Sequence, residues 1–250
     1  MHRTYTACTQ PVHSLRALRI AAASALLTLS ALPGHAAGPF TPPAGCRLEV
    51  TVQNRSCTVS QHFRCSADPE GHQRTALFDQ EGLTYLSVID GETRWIESTS
   101  PSVGLTDTLE EQADSHASFS RLLETGRDDF DFWTVSNSGE RLRHVGWDEL
   151  TGEMVSINGV DLEKTRFQLT TTFENGEVML ERRGQQFISR SMGRFYGGIE
   201  TTSDWTGQTA ETNDSPVTFA FPGQPGFGST TPQYDCDMLM TQLRQGKARS

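Results

Sequence analysis

Five cysteines are spread through the 250 residues. No two form a Cys-x-x-Cys pair, which argues against a zinc ribbon or a thioredoxin-like site. Cys8 lies in a segment read below as a leader. Cys46, Cys57, Cys65 and Cys236 remain, and an even set in an exported chain points to two disulfides. If Cys57 to Cys65 is one strand, its ends are ~26 Å apart, well beyond the reach of a disulfide. Hairpin pairing through residues 53–56 sets Cys46 opposite Phe63, one diagonal step from Cys65. That favours Cys46–Cys65 with Cys57–Cys236, and leaves Cys46–Cys57 with Cys65–Cys236 as the rival.

The other groups that could do chemistry are weaker signals. Asp128, Asp129 and Asp131 suggest a hard-cation site, but such a site wants several oxygens on a turn. Here Phe130, Phe132 and Trp133 are interleaved, so Asp129 and Asp131 share a strand face opposite Phe130 and Phe132, and a solvated face is the preferred reading. Glu174 and Glu177 flank a turn and tolerate a small repulsion there. His62, His72, His116 and His144 are scattered, without metal-ligand spacing. No Gly-x-Ser-x-Gly elbow occurs, and Gly193 to Gly198 reads as a bend rather than a phosphate cradle. Neither a metal nor a cofactor is expected. Trp95, Trp133, Trp147, Phe195 and Tyr196 are the residues a ligand cavity would use, and equally those any β core would use.

These side chains need elements to position them, and the pattern is that of strands. Between Cys46 and Phe221, apolar and polar residues alternate in short runs separated by turn signals. Leu48, Val50 and Val52 share one side of the first run. Asp68-Pro69-Glu70-Gly71, Asp90-Gly91, Asn158-Gly159, Asn175-Gly176 and Arg183-Gly184 read as turns, Asp90-Gly91 and the Asn-Gly pairs as two-residue hairpins. The apolar face falls on even numbers at Val160 and Leu162 and on odd ones at Phe167 and Leu169. That switch requires a bulge or bend near Glu163 to Arg166. Residues 106–125 break the rhythm and read as one helix, with Thr106 or Asp107 as N-cap and Gly126 past the end. Ser203 to Ser215 reads as a mobile loop. Residues 222–236 form a Pro/Gly-rich tail that Phe227, Tyr234 and Cys236 can tie down, and 238–243 can add a helical turn. The expected fold is mainly β: an antiparallel meander of roughly ten strands forming a curved sheet or open barrel, with the 106–125 helix packed on it.

Composition sets the compartment. Arg16 and Arg19 precede an apolar run, Ile20 to Leu32, which is too short to span a membrane and suits a signal peptide. Cleavage is expected near Ala36/Ala37, leaving residues 37–250 as a single β-rich domain in the periplasm or secreted. Loss of three arginines takes 21 basic residues to 18 against 31 acidic, a net charge of −13. Such a surface repels phosphate backbones, so nucleic acid is not an expected partner. No second apolar run is long enough to cross a membrane, so the mature chain is expected to be soluble. Pro43-Ala44-Gly45-Cys46 faintly resembles a lipobox, but Pro43 stands where an aliphatic residue belongs, and lipidation would leave an odd thiol.

Several stretches resemble an uncharacterised family of exported alphaproteobacterial proteins. These are Cys57-Thr-Val-Ser-Gln-His-Phe-Arg-Cys65, Ile89-Asp-Gly-Glu-Thr-Arg-Trp-Ile-Glu97, Asp129-Phe-Asp-Phe132, Leu150-Thr-Gly-Glu-Met-Val155 and Phe221-Pro-Gly-Gln-Pro-Gly-Phe227. The resemblance covers most of the mature chain and implies no activity and no site. In architecture alone, a β meander behind a signal peptide and interrupted by a helix is similar to the periplasmic lipoprotein carriers and related half-barrel lipid binders. The function expected is non-catalytic binding of a small apolar ligand or lipid in the cell envelope. Envelope protein–protein interaction or a structural module is the alternative, and a hydrolase with an unrecognised site has the least support.

Overall fold

A computed structural model describes residues 38–237. The expected leader of residues 1–36, the expected cleavage near Ala36/Ala37 and the helical turn expected at 238–243 lie outside the described residues. In chain order the first strands are β1 (Cys46–Asn54), β2 (Thr58–Cys65), β3 (Gln73–Phe78), β4 (Leu83–Ile89), β5 (Trp95–Ser100) and β6 (Leu105–Leu109). The helix α1 (Phe119–Thr125) precedes β7 (Arg127–Ser136), β8 (Arg141–Ile157), β9 (Val160–Phe173) and β10 (Val178–Ser189). Then come β11 (Arg194–Tyr196), β12 (Ile199–Asp204), β13 (Thr209–Asn213) and β14 (Pro216–Ala220).

All of the strands belong to one curved antiparallel sheet, and the chain is mainly β with one helix. Strands β1 to β10 follow one another as a meander. β10 is long enough for β12 to pair with its first half and β11 with its second. β13 forms one edge and β14 the other, paired with β1. Only Asp214 and Ser215 separate these two edge strands, so the sheet must curl for the chain to pass from one to the other. No ladder joins the edges, and the sheet stays open. Side chains and loops bridge the seam instead. The Arg55 N–H donates to Ser215 O at 3.0 Å, Ser56 Oγ to Asn213 O at 2.7 Å, and the Phe219 N–H to Asn158 Oδ1 at 3.1 Å.

The curl buries the concave face on itself. Val50, Val52 and Phe219 at one end meet Val160, Leu162 and Tyr196 at the other. Phe130, Phe132, Phe167 and Leu169 form a second cluster, and α1 adds Phe119 and Leu122 against Ile188. The tail supplies a further layer. Residues 228–234 lie over the second face of β1 and β2, where Thr51, Gln53 and Gln61 are buried. Gln61 Nε2 donates to Ser229 O at 2.6 Å, Gln53 Nε2 to Thr231 O at 3.1 Å, and the Gly228 N–H to Thr51 Oγ1 at 2.8 Å. A Pro/Gly-rich segment without a ladder of its own thus satisfies the polar face of two strands.

Local structure departs from the sequence reading in several places. Among the described residues there are fourteen strands rather than roughly ten. The helix is only Phe119–Thr125, because Thr106 and Thr108 are β-branched and the Gly104 turn feeds 105–109 into a strand between β5 and β7. Ser118 is its N-cap, accepting from the Arg121 N–H. Ser203 to Ser215 is not a loop but mostly the β12–β13 hairpin, turned by Asp204. Gly184 lies within β10, where a Cβ would overlap the carbonyl oxygen of Ile199, so glycine there permits close pairing with β12. A bulge at Glu49 separates Leu48 from Val50 and Val52, sending Leu48 to Phe63 on the tail-covered face. The first turn is Arg55 to Cys57, with positive φ at Ser56 and Cys57, and this turn together with the bulge at Glu49 sets Cys46 directly opposite Cys65 rather than Phe63.

Asn158-Gly159 is a two-residue hairpin, both with positive φ, whereas Asp90-Gly91 opens a five-residue turn between Ile89 and Trp95, its Asp90 carboxylate accepting the N–H groups of Glu92 and Arg94. The Asn175-Gly176 turn is one residue longer, because Phe173 pairs with Glu177 in the closing hydrogen bonds, and a bulge after Val178 restores Thr171 opposite Leu180. The face switch in β9 falls at Glu163. Its bulge sits on β8, where residues 151–153 oppose Lys164 alone.

The disulfides join Cys46 to Cys65 and Cys57 to Cys236, the second pinning the tail to the β1–β2 turn. These bonds close loops of 19 and 179 residues. Chain entropy then predicts that replacing Cys57 and Cys236 by Ser costs about 5 kcal/mol, against about 3 kcal/mol for Cys46 and Cys65. Urea unfolding of the two double variants under oxidising conditions measures this order. Gly184→Val is expected to destabilise the sheet by about 1–3 kcal/mol through that overlap, read in the same assay.

Candidate functional site

The concave face keeps one hollow that side chains do not fill. Its volume is about 230 Å³, below the ~300–1,000 Å³ of pockets that hold drug-sized ligands. The walls come from distant parts of the chain: Tyr85 of β4, Trp95 of β5, Phe130 and Phe132 of β7, and Phe195 of β11. Alternation explains each wall, since residues two apart on a strand face the same way. The Trp95 ring meets Phe132 edge-on with centroids 5.5 Å apart, yet the residue stays 41% exposed at the mouth.

Six polar side chains share this lining with the rings: Ser87, Thr93, Glu97, Asp148, Gln186 and Arg194. Asp148 on β8 stands directly opposite Asp128 on β7. Burial, reinforced by the charge of Asp128, pushes the Asp148 carboxyl up to about 7. Among the described residues no hydrogen bond or ion pair engages it. Burial raises Asp128 too, but that group has a structural use. Asp128 Oδ2 accepts the Ser118 N–H at 2.8 Å, and Glu92 Oε2 accepts from Ser118 Oγ and the Ser120 N–H, so two carboxylates hold the start of α1. Arg121 Nη1 stands 3.3 Å from Asp128 Oδ1 without the angle that a hydrogen bond needs.

Arg194 is 6% exposed and lies over Tyr196, 5.6 Å from the ring centre. Its Nη2 donates to Thr75 Oγ1 at 2.8 Å, and its Nη1 to Gln73 Oε1 at 3.4 Å. Gln73 also clasps the carbonyls of Met192 and Gly193. Thr75 Oγ1 also meets His62 Nδ1 at 3.2 Å, and His62 Nε2 meets Ser60 Oγ at 3.0 Å. Burial, and then the charge of Arg194, drive the His62 pKa well below its usual value, so the ring is neutral. His144 is similarly satisfied by Thr134 and Thr171, with burial lowering it to about 4.

The five aromatic residues singled out from the sequence do not converge. Trp95 and Phe195 line the hollow. Tyr196 belongs to the closing cluster with Phe219. Trp133 and Trp147 lie on the convex face, where Arg141 covers one at 4.7 Å and Arg127 the other at 4.5 Å. Asp129 and Asp131 share that face and pair with Arg127 and Arg143. Sequence reasoning passed over Asp148 and Arg194, and weighed Asp128 only as part of a hard-cation cluster. Asp128 carried a usable signal, because it has the parity of Phe130 and Phe132 and must point inward with them. Arg194 carried none, since β11 is three residues long.

Among the described residues no group of three or more His, Cys, Asp or Glu side chains is placed to hold a metal ion, and no helix is long and apolar enough to cross a membrane. Comparison with protein-family models, with curated proteins and with solved structures finds no match. The site has to be interpreted from its own chemistry.

That chemistry makes a pH prediction. Between pH 4 and 7 the folded chain holds a proton on Asp148 that the unfolded chain has released, so this group's contribution to stability falls as pH rises through that window. Asp148→Asn removes the ionised form. Discounting for partial exposure of the carboxyl, the variant is expected to be about 1–3 kcal/mol more stable than the parent at pH 8, and equal to it near pH 4. Urea titrations at the two pH values check both sign and size.

Proposed function

We propose that the chain is an exported, non-catalytic binding protein of the cell envelope that holds a small, largely apolar molecule or single-chain lipid on the concave face of its sheet. The observation that carries this reading is the aromatic hollow between Trp95, Phe130, Phe132 and Phe195, in which these rings alternate with polar groups from several strands. Ligand sites combine the two, apolar area supplying affinity and polar atoms fixing orientation. The two disulfides are consistent with a compartment outside the cytoplasm. The apolar run from Ile20 to Leu32 behind Arg16 and Arg19 supports delivery there by a signal peptide cleaved near Ala36/Ala37.

One observation favours protein–protein interaction as a second reading. The edge strand β13 is largely exposed, and Trp205 at the tip of its hairpin is 76% exposed. An open edge with an aromatic residue beside it suits strand addition by a partner.

Mass spectrometry of the natively purified protein, extracted for lipids and small amphiphiles, tests the binding reading. A co-purifying molecule is expected in the parent and in Trp147→Ala, whose side chain lies on the convex face, and a reduced amount in Trp95→Ala. A preparation that yields no such molecule, and shows no thermal shift with any amphiphile offered, would overturn this reading in favour of the edge-strand one.

A further inference from the structure

We propose that the concave hollow is a carboxylate site, in which a small organic acid sets its carboxylate on Arg194 and its apolar body against Trp95, Phe130 and Phe195. This rests on the reading of the concave face as a ligand site and names the class of ligand. A guanidinium carries five N–H donors and keeps its charge at any pH a protein survives. In Arg194 that charge is buried, and the two acceptors that hold it, Thr75 Oγ1 and Gln73 Oε1, are both neutral. Nε is buried without an acceptor. Among the described residues no carboxylate forms an ion pair with Arg194. Glu49, whose charge reaches it from a distance, is itself committed to Arg47 and Arg64. His62, the titratable neighbour, offers no negative charge.

Taking a lone cation out of water costs several kcal/mol unless a counter-charge accompanies it. A purely structural role, tying β11 to β3, explains the contacts of Nη1 and Nη2. It leaves the charge, which meets only the face of Tyr196, unexplained, because a neutral donor would make the same tie. An anion arriving with a ligand accounts for it, meeting the guanidinium where Arg194 lines the hollow.

The rest of the hollow narrows the class. A single cation, with the carboxyls of Glu97 and Asp148 in the same lining, suits one negative charge and not the two of a phosphate monoester. The volume of 230 Å³ amounts to roughly eight waters' worth of liquid, enough for an acid of about ten non-hydrogen atoms. The rings of Trp95, Phe130, Phe132 and Phe195 offer faces for a hydrocarbon chain or ring.

Calorimetric titration of the purified protein with octanoate, octanol and octylamine tests this, at pH 6 where Asp148 is protonated. The expected result is that octanoate binds at least about tenfold more tightly than octanol, with octylamine weakest. Arg194→Gln is expected to bring the acid down to the affinity of the alcohol. Equal affinity of octanoate and octanol for the parent protein would overturn the carboxylate assignment while leaving the apolar site standing. So would an acid preference that survives in folded Arg194→Gln. Absence of binding by all three up to about 1 mM would overturn the site itself and the carboxylate assignment with it. Should Arg194→Gln fail to fold, the acid-to-alcohol ratio in the parent decides alone.

Discussion

The contact between the two ends of the sheet, where Val50, Val52 and Phe219 meet Val160, Leu162 and Tyr196, is what the rest of the molecule depends on. A sheet with an apolar face has to bury it, and the usual means is a second sheet or a layer of helices. Here there is neither. α1 spans seven residues and covers only the region around Ile188 and Phe195. The sheet therefore curls until its own ends touch. Bulges at Glu49 and opposite Lys164 supply local twist, and the two-residue passage from β13 to β14 fixes how near the edges must come. Closure by packing rather than by a ladder leaves the sheet open, and within it the hollow lined by Trp95, Phe132 and Phe195 persists.

The treatment of buried polar groups separates scaffold from site. On the face covered by the tail, Thr51, Gln53 and Gln61 each find backbone or side-chain partners, so their burial stabilises the packing of residues 228–234 at little cost. His62 and His144 each sit between two hydroxyl groups and stay neutral. Asp128 accepts the N–H of Ser118, the N-cap of α1. Arg194 and Asp148 lack an equivalent. Each is an ionisable group in a low-dielectric lining, and neither has an opposite charge beside it. Native proteins keep few such groups, and those they keep lie mostly where a ligand completes the arrangement. The chain's surplus of acidic residues sharpens the point, because on its surface arginines readily find carboxylates, as Arg127, Arg141, Arg143 and Arg182 do.

What the sequence determined by itself was the local part of the structure. Alternation of apolar and polar residues named most strands, Asn158-Gly159 named its turn because both positions need positive φ, and the change of parity between Leu162 and Phe167 required a break at Glu163. These are properties of neighbours in the chain, so neighbours suffice to read them. Segments with weak local preference were settled by what lay beside them. Residues 105–109 became a strand because β5 and β7 offered ladders on both sides, and Gly184 stayed within β10 because β12 had to approach it closely. Tertiary structure alone decided that Trp133 and Trp147 face outward while Trp95 faces the hollow, and that Arg194 and Asp148, 46 positions apart, share one lining. The physical reason is that which face becomes concave depends on the curl of the whole sheet, a sum over bulges, turns and end-to-end packing that no single stretch of sequence contains.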